Sequence, residues 1–139
     1  MAILFAVLAA LFFATTTGIT SSNDGSHYAL TRTLVENQSF ALRSFDDYAE
    51  GNDVAIREDV LYSDRPPGTA VVAATFYALA PLLPKPLALL PSKHNPENPR
   101  LVYVMMLPAL ASAATAVLLF LLLRHLHLSA AAALLATLW

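Results

Sequence analysis

The sequence predicts an all-α integral membrane protein in which transmembrane helices flank a large first external loop that carries interfacial helices. Three observations lead there. Of the 139 residues, 57% are hydrophobic and only 13% are charged, against about 45–50% and about 25% in soluble domains. A surface so poor in charge cannot hold the chain in water. Two stretches, residues 1–20 and 101–123, carry no charge and are long enough to span a bilayer. Between them, residues 21–68 hold nine of the ten acidic residues against four basic ones, a formal charge of −5.

The net charge of −2 averages that acidic loop against a basic remainder, so it points to no partner. Basic residues are few and dispersed, which excludes a nucleic-acid surface. The chain has no cysteine, so disulfides and thiolate metal sites are excluded. Its four histidines are scattered and make no metal-ligand pattern, so no cofactor is expected and a divalent cation finds no support. No internal repeat is visible.

Residues 1–20 span close to 30 Å at about 1.5 Å per residue, matching the hydrocarbon core. A cleaved signal peptide is the competing reading; the missing basic n-region and the length of the apolar run speak against it. Asn23 or Asp24 is placed to cap a helix over residues 24–38. Tyr28, Leu30, Thr31, Leu34 and Val35 recur at helical spacing, with Arg32, Glu36 and Asn37 elsewhere on the wheel. Such a half-apolar helix suits the membrane interface.

Residues 40–53 read as loop. Val54-Ala55-Ile56 and Val60-Leu61-Tyr62 flank Arg57-Glu58-Asp59 as a small hairpin. Pro66-Pro67-Gly68 then opens a helix over residues 67–80, proline being tolerated in a first turn. Beyond it stand Pro81, Pro84, Lys85, Pro86 and Pro91. Each interior proline costs about 3 kcal/mol, and a mid-membrane lysine about 2.5–3.5 kcal/mol. A short interfacial helix follows from those costs; a full span over residues 67–90 stays open, because neighbouring helices can repair proline breaks. Residues 92–100 form a polar turn and residues 101–123 a transmembrane helix. Arg124 and its neighbours favour the cytoplasm, which puts residues 21–100 outside. Residues 128–139 start a further helix that stops in mid-run, so the chain reads as the front part of a longer protein.

Asp24 has two compatible roles. A first-turn carboxylate caps helix N–H groups and interacts well with the helix dipole; where a membrane helix emerges, it can also act as a general base. Arg65 is either a solvated turn residue or an anion contact, since guanidinium matches phosphate geometry. His27 and Tyr28 are either packing residues or part of the same site. Asp46, Asp47, Glu50 and Asp53 lack calcium-loop spacing and read as solvated.

The run Asn23-Asp24-Gly25-Ser26-His27-Tyr28-Ala29-Leu30-Thr31-Arg32, followed by Tyr62-Ser63-Asp64-Arg65-Pro66-Pro67-Gly68-Thr69, resembles the start of GT-C membrane glycosyltransferases. The nearest are the protein mannosyltransferase-like and aminoarabinose-transferase-like bacterial enzymes. The resemblance implies a polyprenyl-phosphate-linked sugar as donor and a lipid, glycan or protein as acceptor. It implies a bacterial cytoplasmic (inner) membrane location with the active site facing outside. Asp24 matches the acidic catalytic residue after the first span, and Arg65 the basic residue before Pro-Pro. With His27 and Tyr28 beside them as substrate contacts, these are the expected site residues. The expected function is the N-terminal portion of a membrane glycosyltransferase, inactive by itself. A transporter or flippase-like protein, or a non-catalytic fragment, is the alternative. The uncharged span over residues 101–123, broken only by Pro108, weakens the transporter reading.

The topology is testable in this cysteine-free chain by single-cysteine labelling at positions 52 and 95. An impermeant reagent should reach both in intact cells. Labelling at 52 without labelling at 95 would mean that the intervening segment crosses the membrane.

Overall fold

The computed structural model describes residues 1–84 and 99–138, without the side chains of residues 43, 44, 46 and 138. The chain runs α1 (Ala2–Ala14), α2 (Ser22–Glu36), a 3-10 helix (Arg43–Ala49), β1 (Val54–Arg57), β2 (Val60–Ser63), α3 (Gly68–Leu79) with a 3-10 extension (Ala80–Leu82), α4 (Arg100–His125) and α5 (Ala130–Leu138). It divides into two compact units, residues 17–104 and residues 1–16 with 105–139. The helical expectation holds apart from one hairpin. The prolines and lysine expected at positions 85–91, and most of the polar turn over 92–100, lie outside the described residues.

In the unit formed by the chain ends, Leu8 of α1 is buried with Ala113 and Ala116 of α4, and Leu4, Phe5, Phe12 and Val117 pack around them. Small alanine side chains on α4 meet the larger side chains of α1 at this contact. Away from it, Ile3, Val7, Leu118, Leu122 and Leu135 are exposed, an apolar surface that water would not favour. Among the described residues, α4 is the one helix long and apolar enough to cross a membrane. The first helix ends at Ala14, short of the expected residue 20. Thr15 and Thr16 explain the stop: their hydroxyls bond back to the carbonyls of Leu11 and Phe12, and Gly18 turns the chain at φ 81. Such local hydroxyl bonds compete with helix continuation. At 13 residues α1 is about 20 Å long.

The other unit is organised around α2. Its buried residues include Gly25, Ser26, Tyr28, Ala29, Thr31 and Thr33, and it packs against the 3-10 helix, α3 and β2. Expected as a half-apolar helix suited to the membrane interface, it is the core helix of its unit. The threonines are tolerated inside because each hydroxyl donates one turn back, Thr31 to the His27 carbonyl at 2.8 Å and Thr33 to the Ala29 carbonyl at 2.7 Å. Where loop was expected, residues 43–49 form the 3-10 helix. It is tied down by fully buried Leu42, whose N–H donates to the Leu61 carbonyl at 2.8 Å.

The hairpin is present. Its antiparallel register pairs Val54 with Ser63 and Arg57 with Val60, leaving Glu58 and Asp59 as the turn at φ 51 and 62. Positive φ at both central residues marks the turn whose twist suits a two-residue hairpin. After Pro66-Pro67, α3 starts at Gly68 and hands over to its 3-10 extension at Ala80, so the expected helix over 67–80 is matched closely.

One contact fixes α2 against the 3-10 helix. A Cβ built on Gly25 would stand 1.7 Å from the carbonyl oxygen of Tyr48. No side chain fits there. Gly25→Ala should therefore destabilise by about 1–3 kcal/mol, the usual cost of overpacking. Gly68→Ala, where nothing lies within 4 Å of the new Cβ, should stabilise by about 0.5–1 kcal/mol. Thermal unfolding of the two variants should move the midpoint in opposite directions.

Candidate functional site

The site grows from the first turn of α2. Ser21 is the N-cap, in extended conformation, and its hydroxyl accepts the Asp24 N–H at 3.2 Å. The same hydroxyl donates to Asp24 Oδ2 at 2.9 Å, and Thr20 adds a second donor to that oxygen at 3.3 Å. The expectation that Asn23 or Asp24 caps the helix is thus corrected: Ser21 is the N-cap, and Asp24, the third helical residue, answers it by accepting from the same hydroxyl. Its carboxylate is partly exposed and held by two hydroxyls.

One residue further on, Ser22 Oγ donates to Asp53 Oδ2. Ser26 Oγ donates to the Asp53 carbonyl at 2.7 Å and meets Ser63 Oγ at 2.7 Å. Ser63 Oγ also accepts the Arg65 N–H at 3.2 Å. The α2 N-terminus, the residue before β1 and the end of β2 are therefore stitched together by serines. These short hydroxyls can donate and accept at once.

Arg65 lies on this frame. Its Nη2 is ion-paired with Asp53 Oδ1, and its Nε lies 3.2 Å from Asp64 Oδ1. The Asp64 contact lacks hydrogen-bond alignment, since Nε is buried and makes no hydrogen bond. Both carboxylates thus face one edge of the guanidinium, while Nη1 takes no partner among the described residues. His27 is close enough to feel Arg65, Asp24 and Asp64, and its Nδ1 is buried without a hydrogen-bond partner. Burial, then the Arg65 charge, hold the imidazole below its ordinary value of 6.5, outweighing the opposite pull of Asp24 and Asp64.

Of the four expected site residues, the fold thus brings Asp24, His27 and Arg65 into one neighbourhood. Tyr28 goes elsewhere. One residue round the helix wheel from His27, it is 2% exposed and packs edge-on against Tyr48 and Tyr77, with ring centroids 5.2 and 6.1 Å away. Burial, with Tyr77 and Tyr48 next in order, pushes its phenol up. Among the described residues no group of three His, Asp or Glu side chains is placed to hold a metal ion.

Two features escaped the sequence reading. Asp53, assigned to a solvated acidic cluster, has a side chain only 17% exposed and paired with Arg65. The signal was the hairpin register: pairing Val54 with Ser63 sets Asp53 opposite Asp64 and next to Arg65. Arg32 and Glu36, placed away from the apolar positions on the α2 wheel, form a partly buried ionic node. Arg32 forks onto Glu36 at 3.1–3.3 Å, donates to Tyr48 Oη at 3.0 Å and stacks over Phe45 at 4.0 Å. Glu36 also accepts from Tyr77 Oη and lies 3.8 Å from Arg100 Nη1. Burial raises the Glu36 carboxyl, but the Tyr77 and Arg32 hydrogen bonds outweigh it and hold the group below its ordinary value of 4.5.

Comparison of the chain with protein-family models, curated proteins and solved structures gives no match.

His27 gives a pH test. Because the folded chain holds the imidazole below 6.5, the unfolded chain takes up the proton first as pH falls. Stability should therefore decline from about pH 7 downward and level off once the folded imidazole also protonates. Thermal midpoints measured across about pH 7.5 to 5 should show this decline. His27→Gln should remove it in that window while leaving any loss tied to Glu36 below about pH 4.5.

Proposed function

We propose that this chain is the N-terminal portion of an integral membrane glycosyltransferase, moving a sugar from a polyprenyl-phosphate donor to an acceptor on the non-cytoplasmic side of a bacterial cytoplasmic membrane. The observation that carries this reading is the grouping of Asp24, His27 and Arg65 at one end of α2, with Arg65 directly before Pro66-Pro67 and the first turn of α3. The apolar span of α4 supports membrane insertion, with its basic last turn at Arg124 on the cytoplasmic side.

In this reading an acceptor hydroxyl oxygen attacks the anomeric carbon of the sugar as the bond from that carbon to the phosphate oxygen breaks. The bond's electron pair leaves on the polyprenyl phosphate, and the hydroxyl proton passes to the Asp24 carboxylate, which acts as general base. Configuration inverts. Arg65 receives the charge that develops on the leaving phosphate, helped by the α3 N-terminus behind it. A preformed guanidinium costs no reorganisation when that charge appears. His27, held neutral, adds a polar contact without a second positive charge. Tyr28, packed among aromatic rings, supports α2 rather than touching donor.

Substitution in the complete enzyme that carries this segment tests the roles. Asp24→Asn keeps size and leaves a side-chain oxygen to accept from the Ser21 and Thr20 hydroxyls, so protein level should stay near wild type while transfer from a polyprenyl-phosphate sugar falls by about 10²–10⁴-fold. Arg65→Lys keeps the charge but loses the planar fork, so its main effect should be a raised KM for the donor. Near wild-type transfer by Asp24→Asn would return Asp24 to a purely structural role.

A further inference from the structure

We propose that Asp53 is a positioning residue: it aims the Arg65 guanidinium at the donor phosphate by holding Nη2 and leaving Nη1 for the ligand. The inference rests on the reading of Arg65 as the phosphate contact, but the clamp itself can be tested separately.

The geometry singles out Asp53 from the nearby carboxylates. Its two oxygens are divided between two elements: Oδ1 pairs with Arg65 Nη2, and Oδ2 accepts from Ser22 in the first turn of α2. Its carbonyl takes Ser26 Oγ at 2.7 Å and the Asp64 N–H at 3.3 Å. The backbone is in the left-handed region at φ 54, a conformation that costs a non-glycine residue energy and persists where surrounding contacts over-determine it. Four bonds do so here. Asp64 is the contrast: its side chain is 42% exposed against 17% for Asp53, and its contact with Arg65 lacks hydrogen-bond alignment.

A long flexible cation gains specificity for phosphate when its rotamers are locked before the ligand arrives. An Asp53 clamp does this and ties Arg65 to the helix turn that carries Asp24. Base and phosphate contact then keep a common frame. Simple electrostatics predicts the opposite of positioning. Removing a carboxylate beside Arg65 should strengthen anion binding if charge alone matters, and weaken it if Asp53 holds the guanidinium in place.

The test uses the whole chain in detergent micelles, with Asp53→Asn and Asp64→Asn variants. Asparagine keeps the size, tolerates positive φ and can still accept from Ser22. The first readout is the Arg65 side-chain nitrogen signals by NMR. In the unsubstituted chain and in Asp64→Asn, the Nη signals should be separate, as for a guanidinium whose rotation is restricted; in Asp53→Asn they should merge. The second readout is titration with citronellyl monophosphate, a short isoprenyl phosphate. Asp53→Asn should bind about tenfold more weakly, and Asp64→Asn as tightly as wild type or more so. Arg65 signals unchanged in Asp53→Asn, or phosphate binding equal to or tighter than wild type, would overturn the positioning role. If the signals merge as expected but neither this chain nor the complete enzyme that carries it binds the phosphate, the clamp stands and the donor reading fails.

Discussion

The unit containing the site depends on the carboxylate of Glu36 being shared among three helices. It closes the fork of Arg32 within α2, accepts the phenol of Tyr77 from α3 and draws Arg100 at the start of α4. Charges so placed are tolerable only because each is answered: an uncompensated buried charge costs several kcal/mol, while a paired one with full hydrogen bonding can stand. The aromatic rings complete the arrangement. Phe45 and Tyr48 lie under Arg32, and Tyr77 lies under Arg100, so each cation has one face against a π system. With Glu36 engaged, the far end of α2 is fixed, and its first turn is presented at a defined place.

That first turn works by hydroxyls rather than by charge. Thr20, Ser21, Ser22 and Ser26 each supply a short donor, and between them they hold Asp24, Asp53 and Ser63. Serines suit this because they cost little side-chain entropy to fix and can satisfy a neighbour in either sense. Two ends of one helix thus follow different physics. One end is a charged knot covered by aromatic rings, and the other an open lattice of hydroxyls around carboxylates and one guanidinium.

Much of this was legible in the sequence where the signal was local. The hairpin showed in the two short apolar runs flanking Arg57-Glu58-Asp59, α3 in Pro66-Pro67-Gly68, and α4 in an uncharged run. The grouping of Asp24 and Arg65 came from resemblance, since no spacing rule brings positions so far apart together. What stayed hidden depended on partners remote in the chain. Asp53 and Ser22 are 31 positions apart, and Glu36 and Tyr77 are 41. On a helical wheel Arg32 and Glu36 look like solvent-facing charges, and only the arrival of Tyr77 and Arg100 turns that face inward. Tyr28 was drawn by its neighbours in sequence to a site from which packing removes it. The short first helix has a local cause, because the threonine run at residues 15–17 offered the last turn other donors.

The close approach at Gly25 has a bearing on how this contact is inherited. Residue 25 meets a carbonyl oxygen of residue 48, not its side chain, and every amino acid carries the same carbonyl. The constraint is therefore one-sided. Position 25 must stay glycine while position 48 is left, at this contact, to vary, and no change at 48 can compensate a change at 25. Among descendants of this chain the pair would leave no correlated substitutions, so a contact that locks two elements together would be invisible to any search for co-variation and would register only as a glycine that never changes.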